Sequence, residues 1–138
     1  MIDIDKYMPL LYKLVLKSYK KGEIPVGSIV IYNDKVIGKG YNTRQSSYNV
    51  CGHAEINAIK QAEKSLKDWR LDNCILISTL KPCNMCSSVI NESRIDKVYY
   101  LFNQDGIINN NFIKIDSNSE YKNKINDLFN DFFKKIRG

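Results

Sequence analysis

Apolar residues near the amino end of the chain recur every three or four positions. This spacing predicts an amphipathic helix over residues 4–19. The repeating apolar positions are Ile4, Met8, Leu11, Leu14, Val15 and Tyr19. Two segments rich in β-branched residues follow, at 25–32 and 35–41, and the Asn33-Asp34 pair between them predicts a β-hairpin.

The rest of the chain alternates between helical and extended patterns after a polar loop at residues 42–52. The predicted elements are a helix from residue 54 to about 66, a strand at 74–79, a helix at 84–93, a strand at 97–102, a turn-rich loop at 103–111, a short strand at 112–115 and a closing helix around 125–136. This order predicts an α/β fold with three layers, in which a five-stranded mixed sheet has parallel pairing in its second half.

The length of 138 residues, with 43% hydrophobic and 26% charged positions, fits one domain over residues 1–138 with its own core. No apolar run approaches the ~18 residues of a membrane span. The first residues are acidic, whereas a secretory signal begins with basic ones. We therefore expect a cytoplasmic location. The net charge of +6 permits an anionic partner but does not identify one.

The close pair Cys83 and Cys86 is the strongest chemical signal in the sequence. Its Cys-x-x-Cys spacing lets one helical turn bind a tetrahedral metal, and His53, the only histidine, is a candidate third ligand. These ligand types favour Zn²⁺, and three protein ligands leave a position for water, as in a catalytic site. Cys51 is a possible fourth ligand that would close the site, but Cys51 and Cys74 are equally consistent with small buried residues.

Glu55 stands two residues after His53, at the start of the same predicted helix. Residues two apart on a helix point about 200° away from each other, so the metal must lie beyond the amino end of this helix. There Glu55 is placed to act as a general acid and base. Two other interpretations stay open: Glu55 as an exposed residue that favours the helix dipole, and Cys83 with Cys86 as a redox dithiol of the thioredoxin type.

The pattern His53-Ala54-Glu55, followed by Pro82-Cys83-Asn84-Met85-Cys86, matches the signature of zinc nucleobase deaminases. The likeness runs from the first helix to the last. The chain resembles the bacterial tRNA-specific adenosine deaminases, within the cytidine/deoxycytidylate deaminase superfamily. The further segments that carry this resemblance are residues 22–27, 40–42, 56–59, 70–71, 93–95 and 131–133.

The resemblance implies the cytidine-deaminase α/β/α sandwich and the hydrolysis of adenosine to inosine at the wobble position of a tRNA anticodon. It implies a homodimer with one Zn²⁺ per subunit, held by His53, Cys83 and Cys86, with Glu55 as the proton shuttle. It also implies substrate contacts from the Asn42 side chain, the backbone at Ala54 and the pocket walls at Ile24 and Val26.

Three segments depart from the family pattern. Lys81 replaces the usual Glu before Pro-Cys, residues 50–52 replace Pro-Thr-Ala before the histidine, and residues 103–111 lack the usual Asp-x-Lys-x-Gly loop. Either Gln104 or Asp105 takes the position of that Asp.

Because the family uses this loop to contact nucleotides around the target, two other interpretations of the function remain. One is a deaminase of a free base, nucleoside or nucleotide of the guanine, cytosine or deoxycytidylate type. The other is a non-catalytic or redox zinc module.

Ten basic residues are candidates for phosphate contacts on the route to the pocket. They are Lys17, Lys20, Lys21, Lys39, Arg44, Lys122, Lys124, Lys134, Lys135 and Arg137. An anticodon loop is single-stranded, so moving its adenine into a pocket costs little and leaves the base edge readable by Asn42. Together with the resemblance, these residues favour RNA over a free base as the expected substrate.

Overall fold

The computed structural model describes residues 2–107 and 111–137, of which Arg137 is described by its backbone alone. Residues 108–110 of the predicted loop at 103–111 lie outside the described residues. The elements are a 3₁₀ turn at Ile4–Lys6, α1 (Met8–Lys20), β1 (Gly27–Tyr32), β2 (Lys35–Tyr41), α2 (Ala54–Leu66), β3 (Ile75–Leu80), α3 (Asn84–Glu92), β4 (Lys97–Phe102), β5 (Ile113–Lys114) and α4 (Glu120–Arg137).

The five strands form one mixed sheet in the order β2-β1-β3-β4-β5. β1 pairs antiparallel with both β2 and β3, whereas β3 with β4 and β4 with β5 pair in parallel. The predicted five-stranded mixed sheet with parallel pairing in its second half is therefore confirmed. The β1–β3 register places Ser28 opposite Ser78, which matters for the site described below.

Alternate strand residues point to opposite faces of this sheet, so both faces carry apolar side chains, and helices cover both. In β1, Ile29 and Ile31 pack in a buried cluster with residues of α1 and α4, whereas Val30 packs in a second cluster with residues of α2 and α3. The three-layer α/β/α arrangement is thus confirmed. Within the described residues, no helix combines the length and apolarity that a membrane span requires.

Several predicted boundaries move by a few residues. The first helix does not run unbroken from residue 4, since a 3₁₀ turn precedes α1 and Pro9 lies in the first turn of α1. Proline has no N–H to donate, so it is tolerated in a first turn but not further inside a helix. β1 begins at Gly27 rather than residue 25, and Pro25 has no N–H to donate to a neighbouring strand. β5 contains only Ile113–Lys114.

Two glycines of β2 let α2 lie directly on the sheet. A Cβ atom added to Gly40 would lie 2.2 Å from the carbonyl oxygen of Ala54, and one added to Gly38 would lie 2.2 Å from that of Ala58. Any side chain at these positions would push the helix away from the strand. The close contact at Gly40 is with the first residue of α2, so it fixes where the amino end of this helix sits.

Candidate metal and active site

The amino ends of two helices bring the predicted metal ligands together. His53 is the residue immediately before α2, Cys83 is the residue immediately before α3, and Cys86 lies in the first turn of α3. The His53 Nδ1 atom lies 3.6 Å from Cys83 Sγ and 3.3 Å from Cys86 Sγ. All three ligand atoms lie within 4.8 Å of one another. The cluster lies beyond the end of α2, as the sequence geometry requires.

These spacings suit a tetrahedral zinc ion. With Zn–N bonds of about 2.0 Å and Zn–S bonds of about 2.3 Å, a tetrahedral site separates nitrogen from sulfur by roughly 3.5 Å. The two nitrogen–sulfur distances of 3.3 and 3.6 Å bracket that value. The donor set of one imidazole and two thiols is also one that zinc prefers. The residues present therefore fit a zinc ion held by three protein ligands.

The cluster is electrostatically prepared to hold a cation. Hydrogen bonds from Cys86 and then His53 lower the pKa of the Cys83 thiol to about 3, so Cys83 is a thiolate at neutral pH. The Cys83 thiolate in turn raises the pKa of Cys86, and burial adds to this shift. The hydrogen bond with Cys83 also raises the pKa of His53 against the opposing effect of burial. A metal ion would replace the protons that these three groups share.

Neither of the other two cysteines belongs to this cluster. Within the described residues, the metal-ligand group contains His53, Cys83 and Cys86 but not Cys51. Cys51 is half-buried, and Cys74 is fully buried in the core cluster beneath α2 and α3. The closed site with Cys51 as a fourth ligand is therefore not what the structure forms.

Glu55 is buried beside the metal ligands, with 4% of its surface exposed. The alternative interpretation of Glu55 as an exposed residue is wrong. Burial raises the pKa of its carboxyl group. One of its oxygens, Oε1, accepts a hydrogen bond from the Ser28 hydroxyl at 3.3 Å, and the Ser28 oxygen lies 2.9 Å from that of Ser78. A hydroxyl has one hydrogen to donate, so Ser78 donates to Ser28 while Ser28 donates to Glu55.

A cavity of about 590 Å³ opens onto His53, Glu55 and Cys83. This volume lies in the range of small-molecule binding sites. Its walls include three of the four residues for which a substrate contact is implied by resemblance: Ile24, Val26 and Asn42. Ala54, the fourth, is fully buried and is not among the lining residues.

Asn42 connects the cavity wall at Ile24 to the amino end of α2. Its side-chain oxygen accepts the N–H of Ala54 at 2.8 Å, and its Nδ2 donates to the carbonyl of Ile24 at 2.9 Å. The first bond caps the amino end of α2, where N–H groups lack acceptors within the helix. After these two bonds, one Nδ2 hydrogen of Asn42 is left for a further acceptor.

The basic residues differ in how close they come to this cavity. Among the ten candidates, Arg44 is a lining residue, and Lys81 lines the cavity as well. The remaining described ones lie elsewhere on the surface, and the side chain of Arg137 lies outside the described residues. Gln104 also lines the cavity and donates to the carbonyl of Lys81 at 3.0 Å, whereas Asp105 is exposed and is not a lining residue.

Sequence reasoning missed three polar residues that build the site. Ser28 and Ser78 lie beneath Glu55, and the buried Glu23 lines the cavity. A serine inside each of two apolar strands was a signal that could have identified the first two. Nothing near Glu23 in the sequence indicates its partners, because these lie 22 and 23 residues further along the chain.

Sequence comparison identifies related proteins. The family model of the cytidine and deoxycytidylate deaminase zinc-binding region matches residues 1–102. A protein named tRNA-specific adenosine deaminase from Buchnera aphidicola subsp. Baizongia pistaciae (strain Bp) is 35% identical over 150 positions, which cover 99% of this chain and 93% of that protein. A Bacillus subtilis (strain 168) protein of the same name is 35% identical over 70% of this chain and 60% of its own length.

Solved structures share the fold. One, from a study of A-to-I editing by tRNA:A34 deaminases at the wobble position of transfer RNA, is 29% identical with a TM-score of 0.72, over 75% of this chain and 79% of that one. A guanine deaminase from Bacillus subtilis is also 29% identical, with a TM-score of 0.68, over 74% of this chain and 66% of that one. A guanine deaminase from Nitrosomonas europaea, at 16% identity and a TM-score of 0.79, shows the fold alone.

Proposed function

Because this chain belongs to the cytidine and deoxycytidylate deaminase family, we propose that it hydrolyses adenosine to inosine at the wobble position of a tRNA anticodon. The observation that carries this proposal is the cluster of His53, Cys83 and Cys86 next to a buried Glu55, all at one cavity. The tRNA part of the proposal is supported by relatives named tRNA-specific adenosine deaminase. We propose that residues 1–138 form a single deaminase domain that works in the cytoplasm, where tRNA is matured.

In this proposal His53, Cys83 and Cys86 hold one zinc ion per chain. When bound, zinc makes a water molecule acidic enough to lose a proton near neutral pH. Glu55 takes that proton and passes it to a ring nitrogen of the adenine while C6 gains the hydroxyl. It then carries the hydroxyl proton to the amino group, so that the bond between C6 and this nitrogen breaks and ammonia leaves. The serine pair holds the Glu55 carboxylate at the cavity during these transfers.

Asn42 is the proposed reader of the base edge. Its oxygen is held by the Ala54 N–H and one Nδ2 hydrogen by the Ile24 carbonyl, so the remaining Nδ2 hydrogen can donate to a ring nitrogen of the purine. The backbone at Ala54 therefore helps to fix the base by orienting Asn42. Ile24 and Val26 form apolar walls for the ring.

The proposed partner is the anticodon stem-loop of a tRNA, with a second copy of this chain as the other partner. The net charge of +6 favours a polyanion, and Arg44 and Lys81 bring positive charge to the cavity.

A homodimer is supported by α3, on which Met85 and Val89 stay half-buried although they belong to the apolar side of the helix. A second subunit would cover them.

One assay tests the substrate. The zinc-loaded protein is incubated with an anticodon stem-loop that carries a wobble adenosine, and inosine is measured by mass spectrometry. Parallel reactions measure ammonia release from free adenine, guanine, cytosine and cytidine. We expect rapid inosine formation in the stem-loop and little ammonia from the free compounds. Rapid deamination of free guanine or cytosine with an unchanged stem-loop would replace the proposal by the free-base alternative.

Two matched controls define what the assay measures. A stem-loop with adenosine at the next position of the loop, and guanosine at the wobble position, tests whether position matters. Glu55→Gln, which keeps the size of the side chain but cannot accept a proton from water, tests whether the activity belongs to this protein rather than to a contaminating deaminase. Inosine formed equally well at either position would contradict recognition of the wobble site.

A further inference from the structure

Glu23 is a buried carboxylate with backbone partners. It lies between α1 and β1 with 2% of its surface exposed. Its two oxygens accept separate hydrogen bonds, Oε1 from the N–H of Gln45 at 3.1 Å and Oε2 from the N–H of Ser46 at 2.7 Å. None of the ion pairs among the described residues includes Glu23. A buried charge needs compensation, and these two N–H groups supply it.

The two N–H groups belong to a compact turn at residues 43–49. Within it, Ser47 donates its N–H to the carbonyl of Thr43 at 2.9 Å, and Asn49 donates to that of Arg44 at 3.0 Å. As at the start of any helical turn, the first N–H groups have no acceptor inside the turn itself. Glu23 supplies both acceptors from another part of the chain. It therefore clamps this turn against the beginning of β1.

The clamped turn presents an aromatic side chain to solvent at the cavity. Tyr48 lines the cavity and is 97% exposed. Its φ of +51° lies in the left-handed region, which bulky residues rarely adopt. Packing does not explain the presence of Tyr48, because so exposed a side chain buries almost nothing. Strained, exposed aromatic residues beside an active site are candidates for a ligand contact.

We propose that the clamped turn binds the nucleotide next to the target adenosine, with the Tyr48 ring as its stacking surface. Single-stranded RNA is commonly held by stacking of bases on exposed aromatic side chains, and every base offers a face for this. Arg44 in the same turn adds a positive charge for the adjoining phosphate. The inference rests on the proposed function, since a free base has no neighbouring nucleotide to stack.

Substitutions at Tyr48 test the stacking. Tyr48→Ala should raise KM for the anticodon stem-loop about 5- to 100-fold, the usual value of one stacked base, and leave kcat nearly unchanged. Tyr48→Phe keeps the ring and should keep the KM. Because Tyr48 is almost fully exposed, neither variant should lower Tm, which excludes a general folding defect. An unchanged KM in Tyr48→Ala would overturn the stacking role.

The direction in which Glu23→Gln changes KM tests the clamp. The neutral amide removes a negative charge beside an RNA site, so electrostatics alone would lower KM. The amide also replaces one accepting oxygen by an NH₂ group that faces an N–H, which releases the turn. The clamp therefore predicts a KM at least about threefold higher. Asp34→Asn, which removes an exposed carboxylate from the β1–β2 turn, is the matched control and should leave KM unchanged.

Amide hydrogen exchange gives a readout that needs no substrate. In Glu23→Gln the amides of Gln45 and Ser46 should exchange at least about tenfold faster than in the wild-type protein, while those of β1 stay protected. Unchanged exchange together with a lowered KM would overturn the clamp. A wild-type protein that deaminates no stem-loop refutes the proposed function and the stacking with it, whereas an active enzyme insensitive to Tyr48→Ala refutes the inference alone.

Discussion

Gly40→Ala should separate the amino end of α2 from the metal ligands of α3. The added Cβ atom would lie 2.2 Å from the Ala54 carbonyl oxygen and 2.5 Å from the Ala58 nitrogen. Ordinary contacts begin near 3.4 Å, so the helix must retreat by roughly 1 Å. Both obstructing atoms are backbone, so no side-chain rotation can relieve the clash. Overpacking of this kind costs about 3 kcal/mol, the upper part of its usual range.

The displacement of α2 should be largest at His53, because this residue immediately precedes the helix. Metal–ligand bonds tolerate about 0.2 Å, so a movement near 1 Å removes the imidazole from a site that Cys83 and Cys86 still define. We expect Tm to fall by about 10 °C and the zinc content after dialysis against a weak chelator to fall well below one ion per chain. Elemental analysis and thermal unfolding measure these two quantities.

Gly22→Ala is the matched control for this substitution. Apart from Gly22 and its chain neighbours, no heavy atom of the described residues lies within 4 Å of the Cβ position at Gly22, but its φ of +76° makes alanine strained there. It should cost about 1 kcal/mol in stability and leave the zinc content intact. If Gly40→Ala kept one zinc per chain and wild-type kcat, the close contact between β2 and α2 would not be what places His53.

Four further predictions follow from the site. Cys86→Ser should lose zinc under dialysis that leaves the wild-type metal in place, because a hydroxyl is a poor zinc ligand; retained zinc at full occupancy would contradict this. Glu55→Gln should keep zinc and folding but lower kcat by about 10² to 10⁴, and normal turnover would remove Glu55 from the mechanism. Ser28→Ala should lower kcat about 3- to 10-fold without changing KM or zinc content, since it removes one hydrogen bond behind Glu55. Light scattering at micromolar concentration should give a mass near twice 16.0 kDa, and an active monomer would argue against the dimer.

The sequence was sufficient to predict the cluster of His53, Cys83 and Cys86 because its signal is local. Cys83 and Cys86 share one helical turn, and the offset of His53 from Glu55 restricts the metal to a helix end. The order of the elements likewise predicted the sheet and its layers, since connection rules leave few arrangements. A predicted helix boundary was wrong where a single residue limits the backbone hydrogen bonds, as Pro9 does at the start of α1.

The contacts of the supporting residues could not be predicted, because their partners are distant in the chain. Ser28 and Ser78 meet only through the register of β1 with β3, which no local pattern specifies. Glu23 accepts a hydrogen bond from an N–H group that lies 22 residues further along the chain, in a loop without periodicity. Such contacts depend on how the whole sheet is assembled. A serine inside an apolar strand marks each position, but the strand sequence does not show that the two serines meet.

The metal cluster with Glu55 and the clamp formed by Glu23 have different roles in the site, and kinetic measurements can distinguish them. The proposed zinc ligands and Glu55 lie at the amino ends of helices. Glycine contacts place α2 against the sheet, and a serine pair holds Glu55. The Glu23 clamp instead holds a surface turn, and its two hydrogen bonds go to Gln45 and Ser46 rather than to a residue of the metal cluster. Variants of the first group should therefore lower kcat or zinc content, and variants of the second should raise KM. Because these hydrogen bonds of Glu23 and those of the Ser28 hydroxyl have no residue in common, the effects of Ser28→Ala and Glu23→Gln on kcat/KM should multiply in the double variant. A double variant that departs from the product by more than about threefold would show that the turn and the Glu55 carboxylate are coupled.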